Sequence, residues 1–135
     1  MLVLNSLDSI AKHEKELAII SPEKHMLRTI KYLRRIAWFC NDFVVVLEPN
    51  IYWYAFSIGQ KSIRIVGIAT SQTLRNQGIA SSIVSHFKKT AISSSKNITL
   101  RTDPAADQFL FWISQGFNVT NNHDDDVEML WNPQL

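Results

Sequence analysis

A chain of 135 residues, 46% apolar and 19% charged, has the composition of one ordinary globular domain, not that of a disordered or collagen-like chain. Its formal net charge of +2 is too small to argue for nucleic acid by itself, and residues 1–40 are only mildly basic, with seven Lys/Arg against four Asp/Glu. One cysteine, Cys40, excludes an intramolecular disulfide and a cysteine-rich zinc site. The longest apolar runs, such as Phe43 to Leu47, fall far short of the ~20 residues a bilayer span needs, and the N-terminus lacks a basic segment followed by an apolar one. These features predict a soluble, cytoplasmic protein with no membrane partner.

From Leu2 to Ile20 the apolar positions Leu4, Leu7, Ile10, Ala11, Leu17 and Ala18 recur at threes and fours, predicting a first helix with Asn5 or Ser6 as its cap. Ser21-Pro22-Glu23 opens a second helix, lined on one face by Leu27, Ile30, Leu33, Ile36 and Ala37. On its other face Lys24, Arg28, Lys31 and Arg35 form a basic stripe, by default a solvated surface. Phe43 to Leu47 is a β-branched strand ending at the turn Glu48-Pro49-Asn50, and Tyr52 to Ser57 is an aromatic strand antiparallel to it. Gly59-Gln60-Lys61 turns the chain into a third strand, Ser62 to Thr70, with Ile63, Ile65 and Gly67 facing opposite to Arg64, Val66 and Ile68.

Ile79, Ile83, Val84, Phe87 and Ala91 then define a helix of about four turns that stops at Ser93-Ser94-Ser95. Asn97 to Thr102 alternates as a strand, Asp103-Pro104 opens a helix through Ser114, and Gly116 ends it. Phe117 to Thr120 and Val127 to Trp131 complete the chain as a hairpin, so residues 1–135 read as a single domain.

The segment that carries chemistry joins the third strand to the long helix: Ile68-Ala69-Thr70, then Arg75-Asn76-Gln77-Gly78-Ile79-Ala80-Ser81. Backbone N–H groups in a tight loop and in a first helical turn lack intrahelical acceptors, and with the helix dipole they favour a phosphate or pyrophosphate. Gly78 and Ala80 let a ligand approach the backbone closely. By spacing alone the loop is also compatible with an ordinary turn, and it matches neither a Walker loop nor a three-glycine dinucleotide fingerprint.

The pattern Arg75-x-x-Gly78-x-Ala80 resembles the Gln/Arg-x-x-Gly-x-Gly/Ala signature of the GNAT acetyltransferases. The preceding apolar-small-apolar strand end and the following helix, strand, short helix and Gly116-Phe117 pair agree with that family in order, over about residues 40–131. The resemblance implies an α/β (α+β) fold, with a mixed, mostly antiparallel central sheet flanked by helices and two N-terminal helices in front. It also implies an N-acetyltransferase with acetyl-CoA as acyl donor. Main-chain N–H groups of Gln77 to Ser81 would hold the pyrophosphate, and pantetheine would lie along Ile68 to Thr70, beside a splay between neighbouring strands.

Two departures from the family bear on catalysis. Trp112 stands where many members carry the tyrosine that protonates the departing thiolate, and indole cannot do so. No carboxylate lies in Ser62 to Thr70 to serve as base, leaving Asp103 and Glu48 as candidates; the plainer readings are a helix cap beside Pro104 for Asp103 and a solvated turn residue for Glu48. His123 with Asp124-Asp125-Asp126 reads as a solvated hairpin tip, since consecutive acids lack calcium-loop spacing. The amine acceptor, whether small molecule, protein or nucleic acid, and a homodimeric state are left open. A nucleic-acid-modifying enzyme and a non-catalytic binding module stand as the alternative readings.

Overall fold

The structure, a computed structural model, describes residues 1–20, 29–31, 34 and 43–133. Among the described residues seven strands order as β1-β2-β3-β4-β5-β7-β6 in a mixed α/β fold: β1 Leu2–Leu4, β2 Phe43–Glu48, β3 Tyr52–Ile58, β4 Ser62–Thr70, β5 Asn97–Thr102, β6 Asn118–Asn122 and β7 Val127–Trp131. Among the described residues, bounded helices are α1 Leu7–Lys12, α2 Glu14–Ile20, α3 Ile79–Ser94 and α4 Asp107–Ser114, with a 3-10 turn at Gln72–Leu74. Pairing is antiparallel for β1 with β2, β2 with β3, β5 with β7 and β6 with β7. Among the described residues no helix is long and apolar enough to cross a membrane.

The chain forms two compact units, Met1–Ile58 with Ile65–Ala80, and Gly59–Arg64 with Ser81–Leu135. In the first, strand alternation puts Phe43, Val45 and Leu47 of β2, Trp53 and Ala55 of β3 and Ala69 of β4 into one core with Ile10, Leu17 and Ile20 from α1 and α2. The valine, leucine, isoleucine and phenylalanine side chains among these each contribute about 1.5–3 kcal/mol when fully buried. Gly67 belongs to the same face: a Cβ there would come within 3.0 Å of the Thr29 hydroxyl and 3.2 Å of the Trp53 ring. On the other face of β3, Tyr52, Tyr54 and Phe56 stack successively at 6.0 Å between ring centroids. Burial, and then the neighbouring Tyr52, hold the Tyr54 phenol above its ordinary pKa.

The N-terminus corrects the expectation of one helix from Leu2. Leu2, Val3 and Leu4 pair with Leu47, Val46 and Val45, and the helix starts only after Ser6, whose hydroxyl accepts from the Ser9 N–H in a reciprocal capping box. His13 leaves helical geometry at φ −113°, with its ring on the Ser9 carbonyl, and so divides α1 from α2. Of the second expected helix, Thr29–Lys31 and Arg34 are helical, Thr29 and Ile30 buried and Lys31 and Arg34 exposed; its start at Ser21-Pro22-Glu23 and most of the basic stripe lie outside the described residues.

In the second unit Val84, Phe87 and Ala91 of α3 are buried, as are Ile98 and Leu100 of β5 and Val127 and Met129 of β7. The helix expected from Asp103 begins instead at Asp107. Asp103 Oδ1 accepts the Ala105 N–H, and the Ala106 N–H bonds back to the Asp103 carbonyl, closing a separate turn first. The end of α4 is a Schellman motif. Gly116, at φ 90°, donates to the Ile113 carbonyl, and Phe117 donates to the Trp112 carbonyl. The apolar contact that accompanies this motif is the Trp112–Phe117 ring pair, 5.2 Å apart and edge to face.

Candidate functional site

Local forces build the loop before α3 in steps. The Ser71 N–H donates to the Ile51 carbonyl at 2.8 Å, tying the end of β4 to the start of β3. The Leu74 N–H returns to the Ser71 carbonyl and closes the 3-10 turn, after which Arg75 is extended at φ −65°, ψ 153°. Asn76 and Gly78 then both take left-handed backbone, at φ 66° and 80°, on either side of Gln77. Left-handed residues alternating with ordinary ones are the arrangement of anion-binding nests, in which successive N–H groups turn to one side.

Helix α3 begins at Ile79, directly after this loop, and its first turn carries no acidic side chain. Its leading N–H groups and dipole therefore meet no carboxylate of their own. Arg75, Asn76, Gln77, Gly78 and Ser81 are exposed, and Ile79 and Ala80 half-buried. A Cβ built on Gly78 would find nothing within 4 Å, so the glycine answers a backbone requirement and not a packing one. At the end of β4, Ala69 is buried in the core while Ile68 and Thr70 are half-buried on the opposite face.

The residues weighed for acid–base work sit elsewhere. Trp112 is only 7% exposed, and its indole lies edge to face with both Phe111 and Phe117. Asp103 caps the turn before α4 through Ala105. Glu48 lies 3.4 Å from the Met1 ammonium. At the β6–β7 turn, Asp124 and Asp125 are exposed, Asp126 receives two N–H groups from Arg101, and His123 Nε2 is 3.6 Å from Glu128.

Two contacts without a motif join α3 to Gln115. Gln115 Nε2 donates to Ser81 Oγ at 3.3 Å, and Lys88 donates to the Gln115 carbonyl while its ammonium stands 5.3 Å from the Trp131 ring centroid. Neither pairing has a sequence signature, because each partner is at least 27 residues away.

No family model matches the chain, and no curated protein matches it by sequence. Solved structures do match it. The PaiA N-acetyltransferase of Thermoplasma acidophilum, in complex with coenzyme A, superposes with a TM-score of 0.66 at 12% identity, over 97% of this chain and 98% of that one. A GNAT family acetyltransferase from Elizabethkingia anophelis with acetyl-CoA bound gives 0.60 at 14% identity, over 88% and 89%. The anti-CRISPR protein AcrVA5 gives 0.53 at 22% identity, over 64% of this chain and 95% of that one. The chain thus has the fold of the GNAT acetyltransferases.

Proposed function

We propose that the protein is an acyl-CoA-dependent N-acyltransferase that moves an acetyl group from acetyl-CoA to an amine by direct attack. The observation that carries this reading is the pair of left-handed residues, Asn76 and Gly78, at the acid-free start of α3, within a fold whose solved examples include complexes with CoA and acetyl-CoA. In this reading the N–H groups from Gln77 to Ser81 hold the pyrophosphate, Arg75 adds positive charge, and Ile68, Ala69 and Thr70 offer main-chain groups to pantetheine and to the developing oxyanion. The amine nitrogen attacks the thioester carbon, the C–S bond breaks, and CoA leaves as its thiolate. The proton lost by the amine goes to a base, for which Asp103 and Glu48 are the candidates.

Titration calorimetry of the full chain with acetyl-CoA tests the first half of the reading. Saturable one-site binding is expected, abolished by Gly78→Glu, which adds a carboxylate to the anion site. Absence of binding by the unmodified chain would remove the proposal.

A second reading, a CoA-binding module without transfer, is supported by one set of observations: Trp112 lies in the core, while Asp103 and Glu48 already hold internal partners. Sustained CoA release with any amine acceptor would exclude it. A nucleic-acid-modifying enzyme, the third reading, would show salt-sensitive binding to RNA or DNA.

A further inference from the structure

We infer that Gln115, at the C-terminal cap of α4, is a positioning residue for the donor's phosphates, acting through the hydroxyl of Ser81. This inference rests on the acyl-CoA reading above and adds to it a residue outside the loop signature.

Ser81 is the third residue of α3, and its side chain stands in the turn whose N–H groups would meet the anion. A hydroxyl carries one hydrogen and two lone pairs, and its orientation is set by its neighbours. The Gln115 amide donates to Ser81 Oγ, occupying a lone pair and leaving the hydroxyl hydrogen to be donated outward. An anion at the start of α3 would then receive a side-chain O–H alongside the main-chain N–H groups. Without Gln115 the hydroxyl loses this partner, and its hydrogen is free to rotate away from the anion.

Gln115 is itself held in place. Its carbonyl accepts from Lys88, seven residues and two turns beyond Ser81 on the same face of α3, and its N–H bonds to the Phe111 and Trp112 carbonyls. One residue therefore bridges two turns of α3. Because the Lys88 bond falls on a main-chain carbonyl, replacing the Gln115 side chain leaves it intact. The Schellman motif is likewise made of main-chain groups, so the side chain can be changed without unmaking the end of α4.

The test is a double-mutant cycle on the full chain, with CoA as the probe in titration calorimetry and a urea midpoint for each variant. Ser81→Ala and Gln115→Met should each weaken CoA binding about tenfold, as expected for one hydrogen bond to a charged group. The double variant should be no weaker than Ser81→Ala alone, because the two residues act through one hydroxyl. Urea midpoints should stay at the wild-type value. Wild-type affinity in Gln115→Met, additive losses in the double variant, or an affinity loss accompanied by a lower midpoint would each overturn the inference. If Gln115→Met binds as tightly as wild type while Gly78→Glu fails to bind, the Gln115 role alone falls. If the wild-type chain binds no CoA, the loop reading falls and this inference with it.

Discussion

Gly78 and Gly116 share one backbone conformation, at φ 80° and 90°, and use it for opposite ends. Around Gly116 the left-handed turn is consumed internally: its own N–H and that of Phe117 return to helix carbonyls, and a Cβ would meet the Trp131 ring at 3.6 Å. Around Gly78 a Cβ would meet nothing within 4 Å, and the segment opens onto the first turn of α3. A left-handed glycine that completes a cap is explained by stability, whereas a left-handed glycine with an empty surround leaves its backbone open to close approach from outside. The contrast separates a structural glycine from a candidate ligand-binding one where the sequence shows two glycines in similar company.

The largest effect that should follow is on the packed side. Trp112→Ala removes the ring against which Phe117 closes the cap, and it should lower unfolding free energy by about 3–5 kcal/mol in urea titration; a loss below about 1 kcal/mol would show that this cap is not anchored by its aromatic pair. Next comes the glycine pair itself. Gly116→Ala should cost about 1–2 kcal/mol, because a Cβ is forced into a left-handed turn fixed by two hydrogen bonds. Gly78→Ala should cost less than that, since nothing crowds the site and the exposed loop can relax. If Gly78→Ala proves the more destabilising of the two by the same urea assay, the comparison is reversed.

The smallest effect lies away from both glycines, in the aromatic row of β3. A phenol whose folded-state pKa is raised contributes stability that is complete below its unfolded value, about 10, and is lost as pH rises through the higher folded value. Tyr54 is such a group, with burial as the main cause. Unfolding measured between pH 9 and 11 should therefore show a decline that Tyr54→Phe makes shallower. An identical decline in the variant would assign the alkaline loss to other groups.

Period and punctuation made much of this fold legible before any coordinates. The bounds of β4 and β5 follow from strict alternation, Ser62–Thr70 and Asn97–Thr102, and α3 follows from its buried stripe. Leu2–Leu4 did not, because Leu4, Leu7 and Ile10 fit a helical period while the strand they belong to is defined by residues more than forty positions away. Asp103-Pro104 resembles a helix start by every local rule, yet the Asp103 side chain closes its own turn and delays α4 to Asp107. At the site, Gly78 announces a left-handed residue, while Asn76 gives a weaker signal, because asparagine tolerates that conformation but does not require it. The Gln115–Ser81 contact was invisible for a simpler reason, since only the folded chain brings residues 34 apart together.

The outer strand β6 carries Asn, Val, Thr, Asn and Asn, all exposed, with neither lysine nor proline to discourage pairing with another chain. Its ladder to β7 slips between Val119 and Asn121, so Thr120 is an extra residue that bends the strand. That slip keeps the outward row of amides from lying straight, and an irregular row is a poorer template for a strand of another chain.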